Sequence, residues 1–175
     1  MVDTDDIWGD AQLGAQISAP GVRVSRIDVG RQTMLSGPGL AQGALGWPEL
    51  AQGAHYRLCL RRDRVLEVGG KARETGWDRE RGCAITDMSF ALQVLEITGE
   101  NAFDLLEDGT EISHAVASPS VARLFAGQPV LLYGWGGSNS FRLHVATPQA
   151  PALWHYLAAA LGVQGASESP GQMPG

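Results

Sequence analysis

The chain has 175 residues, 44% of them hydrophobic, and carries 13 Lys and Arg against 19 Asp and Glu, a formal net charge of −6. That length suffices for one domain, or for two intimately packed halves, with a core of its own. The acidic balance excludes nucleic acid as a default partner and disfavours an anionic membrane surface, because both need a basic face, and no apolar run approaches the ~20 residues that span a bilayer.

Residues 1–20 mix Asp3, Asp5, Asp6 and Asp10 with Ala, Gly and Gln and show no sustained period, so they predict a flexible N-terminal segment without a secretory signal. From Asp28-Val29 the chain leads into Met34-Leu35-Ser36 and stops at Gly37-Pro38, the mark of a short strand and turn. A weak helix is expected at 40–45. Tyr56, Leu58 and Leu60 then alternate with Arg57, Cys59 and Arg61, the period of a half-buried strand. Arg62-Asp63-Arg64 turns the chain, and Val65-Leu66-Glu67-Val68 returns to Gly69-Gly70. The charged stretch 71–82 predicts a surface connection. Asp87-Met88-Ser89 then opens a second strand, Leu95-Glu96-Ile97-Thr98, closed by Gly99.

A helix is predicted from Glu100 to about Glu107, with acids near its positive end and Gly109 as a stop. Val130–Trp135 and Ser140–Val145 form a second hairpin around Gly136-Gly137-Ser138-Asn139, with Phe141, Leu143 and Val145 on one face and Arg142 and His144 on the other. A last helix starts at Thr147-Pro148 or Pro151 and runs to Leu161 along the stripe Leu153, Leu157, Leu161, with Gly162 supplying a left-handed end. The breaker-rich residues 164–175 predict a disordered tail. A strand followed by a hairpin is thus written twice. The expected architecture is α+β: two similar half-domains, about 21–75 and 80–163 within a body at 21–163, each a small antiparallel sheet with helices packed on one face.

Chemical motifs are sparse. His55, His114, His144 and His155 show no ligand spacing and there is no C-x-x-C, so a metal site is unsupported, and the imidazoles are expected at the surface or facing a partner. Gly136-Gly137-Ser138-Asn139-Ser140 is a hairpin turn rather than a nucleophile elbow. Gly134-Trp135-Gly136-Gly137 lacks the helix and the Lys that a phosphate loop needs. Cys59 and Cys83, the two cysteines, read as free thiols in a reducing cytoplasm. Arg57, Arg61, Arg62 and Arg64 cluster on one hairpin, either as a solvated charged edge or as a contact surface. Trp154 and Tyr133 read as core, whereas Trp47 and Trp77, in loops beside Pro48 and Asp78, read as exposed anchors. The interface residues so predicted are Trp47, Arg57, Arg61, Trp77 and Trp135.

The run Thr86-Asp87-Met88-Ser89 through Gly99-Glu100-Asn101-Ala102 resembles the T-D-x-S-x-x-x-x-x-x-x-x-x-G-x-x-A segment of sarcosine oxidase gamma subunits. Leu105-Leu106-Glu107-Asp108-Gly109, Val130–Tyr133, Ser140–Val145 and Leu153-Trp154-His155-Tyr156-Leu157 then follow in the family's order. The stretch Ser118–Arg123 is shorter than the arginine- and proline-rich one of that family. The resemblance implies a relative of the folate-binding aminomethyltransferases: a non-catalytic gamma subunit of a cytoplasmic heterotetrameric flavoprotein that oxidises sarcosine or N-methylglutamate. It implies no cofactor in this chain. FAD, FMN, NAD, tetrahydrofolate and zinc would belong to partners, namely a large alpha-type subunit, an FAD-binding beta-type subunit and a small zinc-binding delta-type subunit. The alternative is a folate-binding aminomethyltransferase-like protein acting alone, in which Asp87 or Glu96 would have to bind the pterin.

Overall fold

The computed structural model describes residues 14–163. In chain order they form β1 (Gln16–Ala19), β2 (Val22–Ile27), β3 (Gln32–Ser36), β4 (Leu50–Ala51), β5 (Tyr56–Arg61), β6 (Arg64–Val68), β7 (Gly76–Asp78), β8 (Cys83–Asp87), β9 (Leu92–Thr98), α1 (Ala102–Gly109), β10 (Ala122–Phe125), β11 (Gln128–Trp135), β12 (Gly137–Ala146) and, after a short 3-10 turn, α2 (Ala150–Ala160). β1 therefore begins inside the stretch expected to be flexible, while the tail at 164–175 lies outside the described residues. One sheet has seven strands in the order β1-β2-β9-β12-β11-β10, with β4 pairing in parallel beside the end of β11. The other has five, β5-β6-β3-β8-β7. Every pairing except that of β4 is antiparallel.

The doubled pattern is present in the topology, with an exchange. In the first copy β3 pairs with β6 of the β5–β6 hairpin; in the second β9 pairs with β12 of the β11–β12 hairpin. Each copy also opens with a hairpin, β1–β2 or β7–β8. The first copy's hairpin pairs with β9 and the second copy's with β3, so each sheet borrows its leading hairpin from the other copy. The crossing segments share a local device. Gly30 N–H donates to Asp28 Oδ1 at 2.7 Å, and Ser89 N–H donates to Asp87 Oδ1 at 2.9 Å, an Asx turn in both cases. The halves interlock and do not sit side by side.

Layering corrects the expectation of helices on each sheet. Both helices cover the outer face of the seven-stranded sheet, where Leu106, Leu153 and Leu157 pack on Leu95, Ile97, Leu132, Phe141 and Leu143. Between the sheets lie Leu58, Leu66, Val68 and Tyr133, with Met34 and Leu131 against them. The outer face of the five-stranded sheet carries Leu35, Val65, Cys83 and Ile85 and is capped by Leu40 and Ala44 from a coil. That coil is the segment expected to be a short helix. Its Gly39 and Gly43 sit at φ of 73° and 71°, a left-handed backbone that breaks a helix and closes turns instead. Val121 joins the sheets at one edge, its N–H donating to Cys59 O and its C=O accepting from Leu132 N–H, both at 2.9 Å.

α2 follows its predicted stripe, with Leu153 and Leu157 buried and Gly162 at φ 66° behind it. No helix among the described residues is long and apolar enough to cross a membrane. α1 begins and ends two residues later than the acids suggest, because Gly109 is needed as its last residue. A Cβ there would enter the Phe125 ring, 2.8 Å from Cε1. Gly109→Ala is accordingly expected to cost about 1–2 kcal/mol, overpacking outweighing the better helix propensity of Ala, and to lower the thermal midpoint by several degrees. An unchanged midpoint would show that Phe125 moves aside freely.

Candidate functional site

Sheet-on-sheet packing buries both faces of the central strands, so polar residues on the inward face must satisfy one another. On β12 the alternation sends Phe141, Leu143 and Val145 to the helices and Arg142 and His144 to the other sheet. His144 is 1% exposed, which overturns its expected surface position. His114 is exposed but stacked 4.2 Å from Phe103 and 5.5 Å from Trp47. His55 and His155 are exposed.

The inward polar groups form a chain whose proton directions are fixed at both ends. At one end Gln32, from β3, donates through Nε2 to Leu92 O at 3.1 Å, leaving its Oε1 as the acceptor facing His144 Nδ1 at 2.7 Å. Nδ1 therefore carries the proton and Nε2 is bare. Nε2 accepts from the Tyr133 hydroxyl of β11 at 2.8 Å. The Tyr133 oxygen is then free to accept from the Tyr56 hydroxyl of β5, also at 2.8 Å. At the far end Arg142, which can only donate, reaches Tyr56 Oη through Nη1 at 3.3 Å. Both ends demand the same direction. Each hydroxyl or ring between guanidinium and carbonyl donates once and accepts once, and the chain crosses between the sheets four times.

Arg142 is itself held. Its Nε donates to Glu96 Oε2 of β9 at 2.9 Å, and its Cζ lies 3.3 Å from the Trp135 ring centroid, a cation–π stack. Trp135 in turn sits 5.3 Å from Tyr56, ring to ring. Burial first, and the Arg142 charge second, push His144 down to about 3, so the ring stays neutral across the physiological range. Burial, reinforced by Tyr56, pushes the Tyr133 phenol far above its usual range. The arrangement orders the interior by matching every donor to an acceptor. Its imidazole nitrogens are both occupied, so it offers no base or nucleophile to a substrate. Beside the chain, Ser89 Oγ accepts from Gln32 N–H at 3.1 Å and donates to Asp87 Oδ1 at 2.6 Å. That hydroxyl, with the Ser89 N–H, holds the Asp87 carboxyl below its usual range.

No protein-family model matches the chain, and no curated protein does. Among solved structures, a chain of the heterotetrameric sarcosine oxidase from Corynebacterium sp. U-96, in complex with pyrrole 2-carboxylate, superimposes with a TM-score of 0.63. The match covers 91% of this chain and 94% of that one at 18% sequence identity. The fold is shared.

The expected interface residues fall in different places. Trp47 is 2% exposed, donates through Nε1 to Ser113 O at 2.9 Å and stacks near Phe103 and Phe141, so it is a core residue and not an exposed anchor. Arg57 and Arg61 lie on β5, one edge of the five-stranded sheet; Arg57 Nη2 donates to Leu40 O at 2.6 Å and Arg61 pairs with Asp63 at 3.2 Å. Trp77, 63% exposed, lies on β7 at the opposite edge. Trp135 is half-buried against the guanidinium. Asp87 and Glu96, the alternative pterin-binding acids, stand on different sheets, and Glu96 is taken by Arg142. Sequence reasoning missed Gln32 and Tyr56 as partners. The available signal was a polar residue, Gln32, opening a short strand with Met34-Leu35 at its centre.

Among the described residues no three His, Cys, Asp or Glu side chains gather around a common point. Cys59 and Cys83 are free and buried, and burial raises the Cys59 thiol.

Proposed function

We propose that this chain is a non-catalytic structural subunit of a cytoplasmic flavoprotein complex that oxidises an N-methyl amino acid, sarcosine or N-methylglutamate, and feeds tetrahydrofolate one-carbon metabolism. The observation that carries the reading is the near whole-chain likeness, 91% of this chain against 94% of one chain of a heterotetrameric sarcosine oxidase. The match runs over nearly the full length of both chains, which supports reading the described body as the counterpart of one chain of such an assembly. Two features support it. The densest polar cluster is closed on itself, and Phe90 stands 95% exposed at the turn between β8 and β9, an apolar group of the kind a permanent interface covers. In this reading a large alpha-type chain is the docking partner. FAD, FMN, NAD, tetrahydrofolate and zinc are held by it and by the beta- and delta-type subunits.

Co-expression of the tagged chain with the flavoprotein genes of its own genomic neighbourhood tests this. Co-elution with a chain showing flavin absorbance is expected, and Phe90→Asp is expected to weaken it at least tenfold. A monomer that never retains a flavoprotein, or that alone binds tetrahydrofolate saturably, overturns the reading.

A further inference from the structure

The β5–β6 hairpin concentrates positive charge in an acidic chain. Its residues 57–64 hold Arg57, Arg61, Arg62 and Arg64 against the single acid Asp63, while the whole chain carries −6. Arg57 is held by the Leu40 carbonyl. At the tip, a shift of register between Cys59 and Arg61 sets Arg61, and not Leu60, opposite Arg64. Like charges directly opposite in an antiparallel pair destabilise it. Asp63 relieves this pair through Arg61 alone, at 3.2 Å, with both side chains 58% exposed. Arg62 is exposed and Arg64 half-buried, and neither makes an ion pair among the described residues. Arg64 Nε is buried there without a hydrogen-bond partner. Stability therefore does not account for the cluster. Protection of a bare sheet edge does not account for it either, because β5 is already closed along its outer side. Leu45 N–H donates to Arg57 O and Cys59 N–H to Leu45 O, both at 2.8 Å, and Val121 N–H donates to Cys59 O at 2.9 Å.

We propose that the tip of this hairpin, Arg61, Arg62 and Arg64, is a docking surface for an acidic segment of a protein partner, whose carboxylates pair with the guanidiniums. Arginine is the side chain that offers carboxylates two parallel N–H bonds. Incoming carboxylates also supply what the Arg61–Arg64 pair lacks, so binding relieves a repulsion that the free chain carries. The patch is confined to one hairpin tip, which suits a short segment bearing a few acids. A long polyanion such as nucleic acid, or an anionic membrane, would extend past the tip and be repelled by the rest of an acidic chain. The partner's identity rests on the subunit reading, in which the acidic segment belongs to a chain of the flavoprotein complex.

Arg64→Glu is the deciding variant. It sets opposite charges across the hairpin, so the thermal midpoint of the free chain is expected to hold or rise while affinity for an acidic partner falls. Two measurements separate this surface from the subunit reading. In the free full chain, acetyl-tetraglutamate amide is expected to give saturable NMR shifts at the Arg61 and Arg62 Nε–H groups. That binding is expected to weaken about tenfold in Arg64→Glu and to fade as salt is raised. Tetralysine amide and a short single-stranded DNA are expected to bind more weakly than the acidic peptide. In the co-expressed complex, Arg64→Glu is expected to reduce retention of the flavoprotein about tenfold, whereas Arg23→Glu, the same reversal on exposed β2, leaves it unchanged. Absence of saturable shifts with the acidic peptide, or equal binding by Arg64→Glu, overturns the docking surface whatever the complex does. So does tighter binding of the DNA, or a midpoint that drops by several degrees in Arg64→Glu, which would mean that these arginines hold the fold. A complex that forms and is indifferent to Arg64→Glu overturns the surface and keeps the subunit reading. Peptide binding by a chain that retains no flavoprotein supports the surface and overturns the subunit reading.

Discussion

Tyr133→Phe is expected to destabilise the chain by roughly 2–5 kcal/mol although it removes a single oxygen atom. The substitution orphans two buried groups at once: the Tyr56 hydroxyl loses its acceptor and His144 Nε2 loses its donor. Each unmatched buried polar group costs about 1–3 kcal/mol, whereas deleting a bonded pair together costs far less. For a chain of this size the loss corresponds to about 5–15 °C in the thermal midpoint. Tyr56→Phe is expected to cost less, because Tyr133 would lose only a donor and the partly exposed Arg142 can be solvated. Urea unfolding of both variants and of Tyr133→Phe combined with His144→Phe provides the check, since the double variant removes donor and acceptor together and should fall short of the sum of the singles. A loss below about 1 kcal/mol for Tyr133→Phe would mean that the interior rearranges or admits water there, and that the chain of bonds does not fix the packing of the sheets.

How far the sequence reaches is visible in the same residues. Period-two alternation located the β5–β6 and β11–β12 hairpins and assigned Phe141, Leu143 and Val145 to one face correctly, because alternation is a local property of the pleat. It placed Arg142 and His144 on the other face but took the His144 imidazole to stand at the surface or against a partner. Alternation cannot distinguish water from a second sheet. The stripe Leu153, Leu157, Leu161 gave α2, with Leu161 partly buried at its end. The exchange of leading hairpins was illegible for a different reason: β2 and β8 were not read as strands at all, and nothing in either says which copy's strand it will pair with. Trp47 read as exposed because it sits in coil beside a proline. Its burial depends on Phe103, Phe141 and Ser113, all more than fifty positions away. Likewise the partners of His144 lie on β3 and β11, so the polar chain exists only after the sheets have docked.

Acid should expose that docking through one proton. In the unfolded chain His144 titrates near its ordinary 6.5, whereas the folded protein holds it down to about 3. Above pH 6.5 the ring is neutral in both states and pH does not act on stability through it. Between 6.5 and 3 the unfolded state binds a proton that the folded state refuses, so stability falls as pH falls, by roughly 1 kcal/mol per pH unit, and levels off below 3. The cause is structural. A charged ring would lose its acceptor nitrogen to a second N–H, would turn that N–H against the Tyr133 hydroxyl, and would face the Arg142 guanidinium without solvent. His144→Gln isolates the effect, since a Gln amide can accept from Tyr133 and donate to Gln32 but does not titrate. Carboxylates elsewhere, Asp87 among them, contribute equally to both proteins and cancel in the difference. Unfolding free energies measured from pH 7.5 to 4 are therefore expected to converge, the wild-type chain losing about 2–3 kcal/mol more than His144→Gln over that interval. Parallel pH curves for the two proteins would show that His144 accepts its proton in place, and that the one-way order of donors from Arg142 to Leu92 is not what holds the sheets together.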